Sequence, residues 1–121
     1  MTRILYVDDE ADIREVAQMS LELDPEFEVR TCASGAAAIA DAAAWVPHLI
    51  LLDVMMPGMD GPTVFAQLRD QPATAGIPVV FITARTQTSE VQAFIEMGAR
   101  GVLAKPFDPM MLAARVRDLL E

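Results

Sequence analysis

The chain has 121 residues, 53% of them hydrophobic, which suits one compact domain over residues 1–121 with a sizeable buried core. Its formal net charge of −9 opposes direct binding to nucleic acid, so we expect proteins or cations as partners. Every apolar run is too short to cross a bilayer and the amino terminus has no export signal, so we predict a soluble, cytoplasmic protein without membrane contact.

The only cysteine, Cys32, excludes an internal disulfide and a zinc site built from cysteines. A single thiol fits a reducing compartment such as the cytosol. Its expected place is the apolar interior, where cysteine behaves as a small hydrophobic side chain.

Five short segments rich in valine, isoleucine and leucine predict β-strands. Three of them, ILYV, LILL and VVFI, are continuous apolar runs without alternation, which is typical of parallel strands covered on both faces. Helices are therefore expected on both sides of the sheet. The predicted strands span residues 3–7, 29–31, 49–52, 79–82 and 101–104.

Segments with helical spacing lie between the strands. Residues 13–23 repeat apolar side chains at helical intervals, and the later AAAIADAAAW predicts a thin packing helix, because alanine favours helix but buries little surface. Gly98 is expected to end a further helix. The last helix is predicted to begin with Asp108 as its cap and Pro109 in its first turn. Its apolar face would carry Leu112, Val116 and Leu119.

This alternation of strands and helices fills the chain, with prolines at the joins and no flexible linker. It predicts a doubly wound α/β fold with a parallel sheet. Ligands of such sheets bind beyond the carboxyl ends of the strands, so the polar residues at those ends are the candidate site. They are Asp8, Asp9, Thr31, Asp53, Thr83 and Lys105.

Three carboxylates brought close together repel one another unless cations compensate. Lys105 and a divalent metal would supply that compensation, and all-oxygen ligands favour Mg²⁺ over zinc. Metal and lysine together could neutralise a phosphoryl group arriving at a carboxylate nucleophile. Each residue alone also fits a helix cap, a turn hydroxyl or a surface charge, but the matched set favours a functional site.

The sequence resembles the receiver domain of two-component response regulators across essentially its whole length. The matching motifs are VDDE at residues 7–10, LLDVMMPGMDG at 51–61, TA at 83–84 and KPF at 105–107. The resemblance implies a flavodoxin-like (βα)5 fold with strand order 2-1-3-4-5. It also implies a phosphoacceptor switch, not a turnover enzyme, which receives its phosphoryl group from a histidine kinase or a histidine phosphotransfer protein.

Carried over to this chain, the resemblance implies that Asp53 becomes the aspartyl phosphate. Asp9, Asp53 and the backbone carbonyl of Met55 would bind Mg²⁺, with Asp8 acting through water. Lys105 would pair with one phosphoryl oxygen. Thr83 would donate its hydroxyl to another and report phosphorylation to the fourth helix and fifth strand.

The chain departs from the family in one place that concerns signalling. Receivers often carry an aromatic residue three positions before the lysine, whereas this chain has Val102, which cannot provide the inward swing of a ring. The resemblance also implies that Met55 and Arg85, two residues after Asp53 and Thr83, flank the water route to the phosphoryl group and tune its lifetime. His48 is expected in a surface loop at the opposite end from the site. Tyr6, Trp45 and most of the eight methionines are interpreted as packing residues.

Three alternatives are weaker. A phosphatase of the haloacid dehalogenase type needs a second aspartate two residues after the nucleophile, where this chain has Met55. A flavin-binding module needs a phosphate loop after the first strand, where the acidic VDDE would repel phosphate. A degenerate receiver that signals without phosphorylation is disfavoured by the intact set of five site residues.

The expected partners are the phosphodonor protein and a downstream target or fused effector. The sequence fits either a stand-alone receiver or a domain of a longer regulator or hybrid kinase. The resemblance also suggests dimerisation through the face formed by the fourth helix, fifth strand and fifth helix.

Overall fold

The computed structural model describes residues 1–121 and contains five strands that alternate with five helices. This order agrees with the alternation predicted from the apolar runs. The elements are β1 (Thr2–Val7), α1 (Ala11–Leu21), β2 (Phe27–Cys32), α2 (Gly35–Trp45), β3 (Leu49–Asp53), α3 (Gly61–Asp70), β4 (Val79–Thr83), α4 (Thr88–Met97), β5 (Gly101–Ala104) and α5 (Leu112–Leu120).

All five strands are parallel and form one sheet in the order β2-β1-β3-β4-β5, which confirms the predicted flavodoxin-like topology. The register pairs Val7 with Leu52 across β1 and β3, and Thr83 with Ala104 across β4 and β5. The carboxyl ends of the central strands therefore meet at one edge of the sheet, with Asp8 and Asp53 following the paired residues Val7 and Leu52.

The continuous apolar strands are buried on both faces, as expected. Successive side chains of a strand point to opposite faces, so each strand feeds two separate hydrophobic clusters. On one face Leu5, Leu52 and Phe81 pack against α2 and α3; on the other, Ile4 and Leu51 pack with residues of α1 and α5. Burial of each side chain of this size stabilises the folded state by roughly 1.5–3 kcal/mol, so the sheet holds the residues at its strand ends in fixed positions.

The start of α5 differs from the prediction. The regular helix begins at Leu112, not directly after Asp108. The Asp108 carboxylate accepts a hydrogen bond from the Met110 N–H at 2.9 Å, and its carbonyl accepts from the N–H groups of both Met111 and Leu112 at 3.0 and 3.1 Å. Asp108 therefore closes a turn over residues 109–111, because an aspartate can bond its own backbone two residues on.

The interpretation of most methionines as core residues is wrong. Six of the eight are exposed, and only Met56 is buried. Cys32 and His48 match expectation, because the thiol is buried and the imidazole is exposed in a loop, where its Nδ1 accepts a hydrogen bond from the Arg3 N–H at 2.8 Å. None of the helices has the length and apolar character that a membrane span requires.

Candidate functional site

Asp53 is the last residue of β3 and is almost completely buried, with 3% of its surface exposed. Its Oδ1 accepts a hydrogen bond from the Met55 N–H at 3.3 Å, and its Oδ2 lies 3.2 Å from the Lys105 Nζ. A carboxylate held at the end of a buried strand has little rotational freedom. The fold thus presents a fixed anionic oxygen beside a cation.

Asp8 directly follows β1 and is fully buried. Its Oδ1 accepts from the Glu10 N–H at 2.9 Å, and its Oδ2 accepts both from the Tyr6 hydroxyl at 3.1 Å and from the Lys105 Nζ at 3.0 Å. Three donors on one carboxylate satisfy most of its acceptor positions, which a buried charge requires. Asp8 is therefore held in a single orientation.

Lys105 connects the carboxylates. It directly follows β5, and its Nζ lies within 3.0–3.3 Å of oxygens on Asp8, Asp53 and Glu10. Burial lowers the pKa of this ammonium, but hydrogen bonds to Asp8 and Asp53 and the attraction of both charges outweigh burial and hold the pKa above its ordinary value. Lys105 is thus a permanent cation shared among three anions.

At Asp53 the surroundings favour the neutral form of the side chain, whereas at Lys105 they favour the charged form. Burial and the neighbouring Asp8 charge raise the pKa of Asp53, while the hydrogen bond and charge of Lys105 and the Met55 N–H lower it, and the net shift is upward. One ammonium does not compensate two buried carboxylates completely. The site therefore favours a further cation.

Asp8, Asp9 and Glu10 form an acidic cluster whose ligand oxygens lie within 4.8 Å of one another. Asp8 is buried, whereas Asp9 and Glu10 face solvent. A set made only of carboxylate oxygens, open to water on one side, fits a hard divalent cation such as Mg²⁺ and does not fit zinc.

Thr83 ends β4 and is buried, with its Oγ1 accepting a hydrogen bond from the Arg85 N–H at 3.0 Å. The hydroxyl proton is therefore free to be donated to another acceptor. Thr31, the other hydroxyl residue predicted at a strand end, is followed by Cys32, which ends β2. Thr31 pairs with Tyr6 in the sheet and makes no hydrogen bond to the acidic residues.

Two contacts to the site were missed in the sequence. Glu10 lies 3.3 Å from Lys105, and the hydroxyl of Tyr6, interpreted only as packing, bonds Asp8. Both had a signal: Glu10 is the third acid of VDDE, and Tyr6 precedes Asp8 by two residues, so that both side chains point to the same face of the chain.

Glycine at position 61 allows α3 to begin close to the end of β3. A Cβ atom there would lie 2.7 Å from the Asp53 carbonyl oxygen and 2.9 Å from the Val54 Cα. Both are backbone atoms and cannot move without displacing the end of β3. The turn before it uses Gly58 with φ of +78°, a conformation that favours glycine.

The sequence singled out three further residues, for signalling or for the lifetime of the phosphoryl group: Val102, Met55 and Arg85. Val102 is half-buried on β5 and packs against the cluster that contains Phe81. Met55 is 73% exposed, and Arg85 is exposed at the start of the loop after β4. Both side chains are therefore in contact with water, and each lies two residues after a buried residue of the site, Asp53 or Thr83.

Comparison with known proteins agrees with the motifs. The family model described as response regulator receiver domain matches residues 4–117. The response regulator PleD of Caulobacter vibrioides is 50% identical over 119 residues, which cover 97% of this chain and 26% of PleD. The DNA-binding response regulator MtrA of Mycobacterium tuberculosis is 40% identical over 118 residues, 98% of this chain and 50% of MtrA.

Solved structures give the same result at the level of the fold. The chemotaxis response regulator CheY4 of Vibrio cholerae superimposes with a TM-score of 0.89 at 33% identity and 98% coverage of both chains. A response regulator from Desulfuromonas acetoxidans gives 0.87 at 30% identity, with 99% and 97% coverage. The chain spans only a quarter to a half of the length of the curated relatives described above.

Proposed function

This chain belongs to the family of response regulator receiver domains of two-component systems, and from that premise we propose that it accepts a phosphoryl group on Asp53 and signals by a change of conformation. The donor is a phosphohistidine on a sensor histidine kinase or a histidine phosphotransfer protein. The signal passes to a downstream protein target or to a fused effector. The additional length of the relatives supports this.

The observation that carries this proposal is the position of Lys105 between two buried carboxylates. Its Nζ lies 3.2 Å from Asp53 and 3.0 Å from Asp8, and nothing in the core requires a lysine there. Burying charges in this way costs stability, and replacing such groups by apolar ones is often favourable. A functional use for the arrangement explains why the chain carries it.

The transfer needs an ionised acceptor. An oxygen of the Asp53 carboxylate supplies the electron pair of the new O–P bond, while the bond between phosphorus and the donor's imidazole nitrogen breaks and its electron pair stays on that nitrogen. Lys105 stabilises the negative charge that spreads over the phosphoryl oxygens, which is the main demand of phosphoryl transfer. No internal base is required, because Asp53 carries no proton when it attacks.

Mg²⁺ is the proposed cofactor. Asp9, Asp53 and the backbone carbonyl of Met55 would hold it, with Asp8 acting through water; Glu10, part of the same acidic cluster, adds further negative charge. Bound there, the ion would offset charge on the carboxylates and on the phosphoryl group. The incomplete compensation of Asp53 by Lys105 supports this need for a second cation.

Readout of the phosphoryl group starts from Thr83 and Lys105. A phosphoryl group adds about −1.5 to −2 charge, and its oxygens compete for the Lys105 ammonium and the Thr83 hydroxyl proton. Both residues border elements that can respond, since α4 contains no fully buried residue. Val102 contributes no aromatic swing, so the movement involves the backbone of the loop after β4 and the face of α4.

The chain is proposed to act as a switch, with self-phosphorylation from small donors and autodephosphorylation as its only chemistry. Loss of the phosphoryl group requires water to reach phosphorus. The exposed side chains of Met55 and Arg85 stand beside that route and set the lifetime of the modified state.

An apolar groove on the surface suits a protein donor. It has a volume of about 230 Å³ and lies between α1 and the loop that follows Lys105. Exposed apolar patches of this kind mark protein contacts. Met19, Leu23 and Met110 on its rim are 60–76% exposed. The lining residues are Val16, Met19, Ser20, Leu23, Pro109 and Met110.

Residues 1–121 are proposed to form one receiver domain that acts in the cytoplasm, where two-component regulators meet their kinases. A dimer of the phosphorylated form would use the face of α4, β5 and α5. Exposed Ile95 and Met97 on α4 support an interface there, because they offer apolar surface that the monomer leaves open.

Intact mass measurement tests this function. The wild-type chain incubated with acetyl phosphate and Mg²⁺ should gain about 80 Da, the mass of one phosphoryl group, in an alkali-labile form. Asp53→Asn should gain nothing, and omission of Mg²⁺ should abolish the gain. Absence of the adduct with both acetyl phosphate and phosphohistidine donors would instead indicate a receiver that works without phosphorylation.

A further inference from the structure

Tyr6 is the only tyrosine of the chain, is the last residue but one of β1, and is fully buried. Its ring packs in the cluster formed with α1 and α5, where any large apolar side chain would fill the space. Its hydroxyl is different, because a buried hydroxyl is costly unless it finds a partner. That partner is the Asp8 Oδ2, at 3.1 Å.

The hydrogen bond connects the core to the shared lysine. Asp8 Oδ2 accepts from Tyr6 and from the Lys105 Nζ at the same time. Lys105 also reaches Asp53 at 3.2 Å. The hydrogen bond from Tyr6 uses part of the acceptor capacity of Asp8 Oδ2 and so weakens the attraction between Asp8 and the Lys105 ammonium. The ammonium then interacts more strongly with Asp53.

The ring of Tyr6 adds a second connection. It meets the ring of Phe107 edge to face, with centroids 6.4 Å apart and an interplanar angle of 73°. Phe107 follows Lys105 by two residues in the loop after β5. Tyr6 thus touches the acidic cluster through its hydroxyl and the lysine-bearing loop through its ring.

We infer that Tyr6 is a positioning residue, whose hydroxyl fixes the orientation of Asp8 toward the cation site and toward Lys105. The inference rests on the proposed function, because it assigns a role within that same site. Donors that orient acidic groups around a metal commonly change metal affinity or activity by about 10–100-fold when removed. Tyr6 therefore acts through Asp8, without contacting the phosphoryl group.

Tyr6→Phe is the direct test, because it removes the hydroxyl and keeps the ring. Thr74→Val is the matched control: Thr74 is also fully buried, and its hydroxyl donates to the Leu68 carbonyl at 2.6 Å, outside the acidic cluster. Calorimetry with Mg²⁺ alone should give a dissociation constant about tenfold higher for Tyr6→Phe and unchanged for Thr74→Val. Phosphorylation of Tyr6→Phe by acetyl phosphate should be slow at low Mg²⁺ and recover toward the wild-type rate at saturating Mg²⁺.

A spectroscopic measurement on the wild-type chain needs no variant and remains decisive if Tyr6→Phe fails to fold. Labelling tyrosine with ¹³C at Cζ gives one resonance, since the chain has one tyrosine. The resonance should shift as Mg²⁺ is added, with the same midpoint that calorimetry gives. A stationary resonance would show that the Tyr6 hydroxyl does not sense the cation site, and an unchanged Mg²⁺ affinity in Tyr6→Phe would leave the tyrosine with a purely structural role.

The outcomes separate this inference from the proposed function. A wild-type chain that is phosphorylated, together with a Tyr6→Phe variant of unchanged Mg²⁺ affinity and a stationary tyrosine resonance, would overturn the role of Tyr6 alone. A wild-type chain that neither binds Mg²⁺ nor accepts a phosphoryl group would overturn both.

Discussion

The side chains of the site place more negative than positive charge in a region with little access to water. Lys105 bonds three carboxylates, and two of them, Asp8 and Asp53, are buried. Asp8 is satisfied by three donors, so the uncompensated part of the charge falls on Asp53, whose pKa is raised by burial and by Asp8. Of the two buried carboxylates, Asp53 is therefore the one whose negative charge is less completely compensated.

This imbalance predicts the effect of Asp53→Asn on stability. Because the pKa of Asp53 is raised on folding, the folded chain binds its proton more tightly than the unfolded chain, and the free energy of unfolding falls as pH rises through that raised pKa. Without Mg²⁺, Asp53→Asn should raise the free energy of unfolding by about 1–2 kcal/mol at neutral pH. The gain should shrink as the pH is lowered toward the ordinary aspartate pKa, and urea unfolding across pH measures it.

Asp60→Asn is the matched control for this prediction. Asp60 caps α3, and its hydrogen bonds with Thr63 lower its pKa, so ionisation of Asp60 favours folding and its contribution is lost as pH falls. Asp60→Asn should therefore give no gain at neutral pH. Equal stabilisation by both variants would point to a general relief of net negative charge and contradict a specific cost at Asp53.

The strands and helices determine which side chains meet, and they were largely predictable from the sequence. Buried parallel strands leave unbroken apolar runs, and the polar residues that end those runs marked Asp8, Asp53, Thr83 and Lys105 as neighbours. The start of α5 was misplaced because a turn with Asp108 satisfies the same backbone groups as a helix cap. The spacing of Tyr6 and Asp8 puts both side chains on one face of the chain, but the hydrogen bond between them depends on three-dimensional packing that this spacing does not fix.

The start of α3 lies close to the backbone at the end of β3, and this contact gives a prediction. Gly61→Ala should destabilise the chain by about 1–3 kcal/mol, since its Cβ would lie 2.7 Å from the Asp53 carbonyl oxygen. It should also slow phosphorylation by acetyl phosphate, because the strand end that carries Asp53 must move. Gly76→Ala is the control, as a Cβ there meets nothing within 4 Å. Thermal unfolding and phosphorylation rates that are equal in the two variants would contradict the close approach.

The molecule as a whole is acidic, with a formal net charge of −9, yet its surface includes an apolar groove between α1 and the loop after β5. An acidic surface disfavours nonspecific contact with nucleic acid. Exposed apolar surface, in contrast, favours contact with a protein partner. Two of the six exposed methionines, Met19 and Met110, line this groove. Flexible thioether side chains suit a surface that must adapt to a partner.

Met19→Glu tests the groove as the docking surface of the donor protein. It should lower the rate of phosphotransfer from a phosphohistidine donor about tenfold and leave the rate with acetyl phosphate unchanged, since small donors need no docking. Ala43→Glu introduces the same charge at an exposed position of α2, on the opposite side of the sheet from the groove, and should leave both rates unchanged. A parallel loss with both donors for Met19→Glu would locate its effect in the site instead of in docking.

The acceptor residue itself is tested most directly by reductive trapping. Treatment of the phosphorylated chain with borohydride converts an aspartyl phosphate to homoserine, and peptide mass spectrometry then identifies the modified position. We predict homoserine at position 53 and nowhere else, in an amount that depends on Mg²⁺ during phosphorylation. Homoserine at position 8, 9 or 60, or no homoserine in a chain that has gained a phosphoryl group, would contradict the assignment of Asp53 as the acceptor.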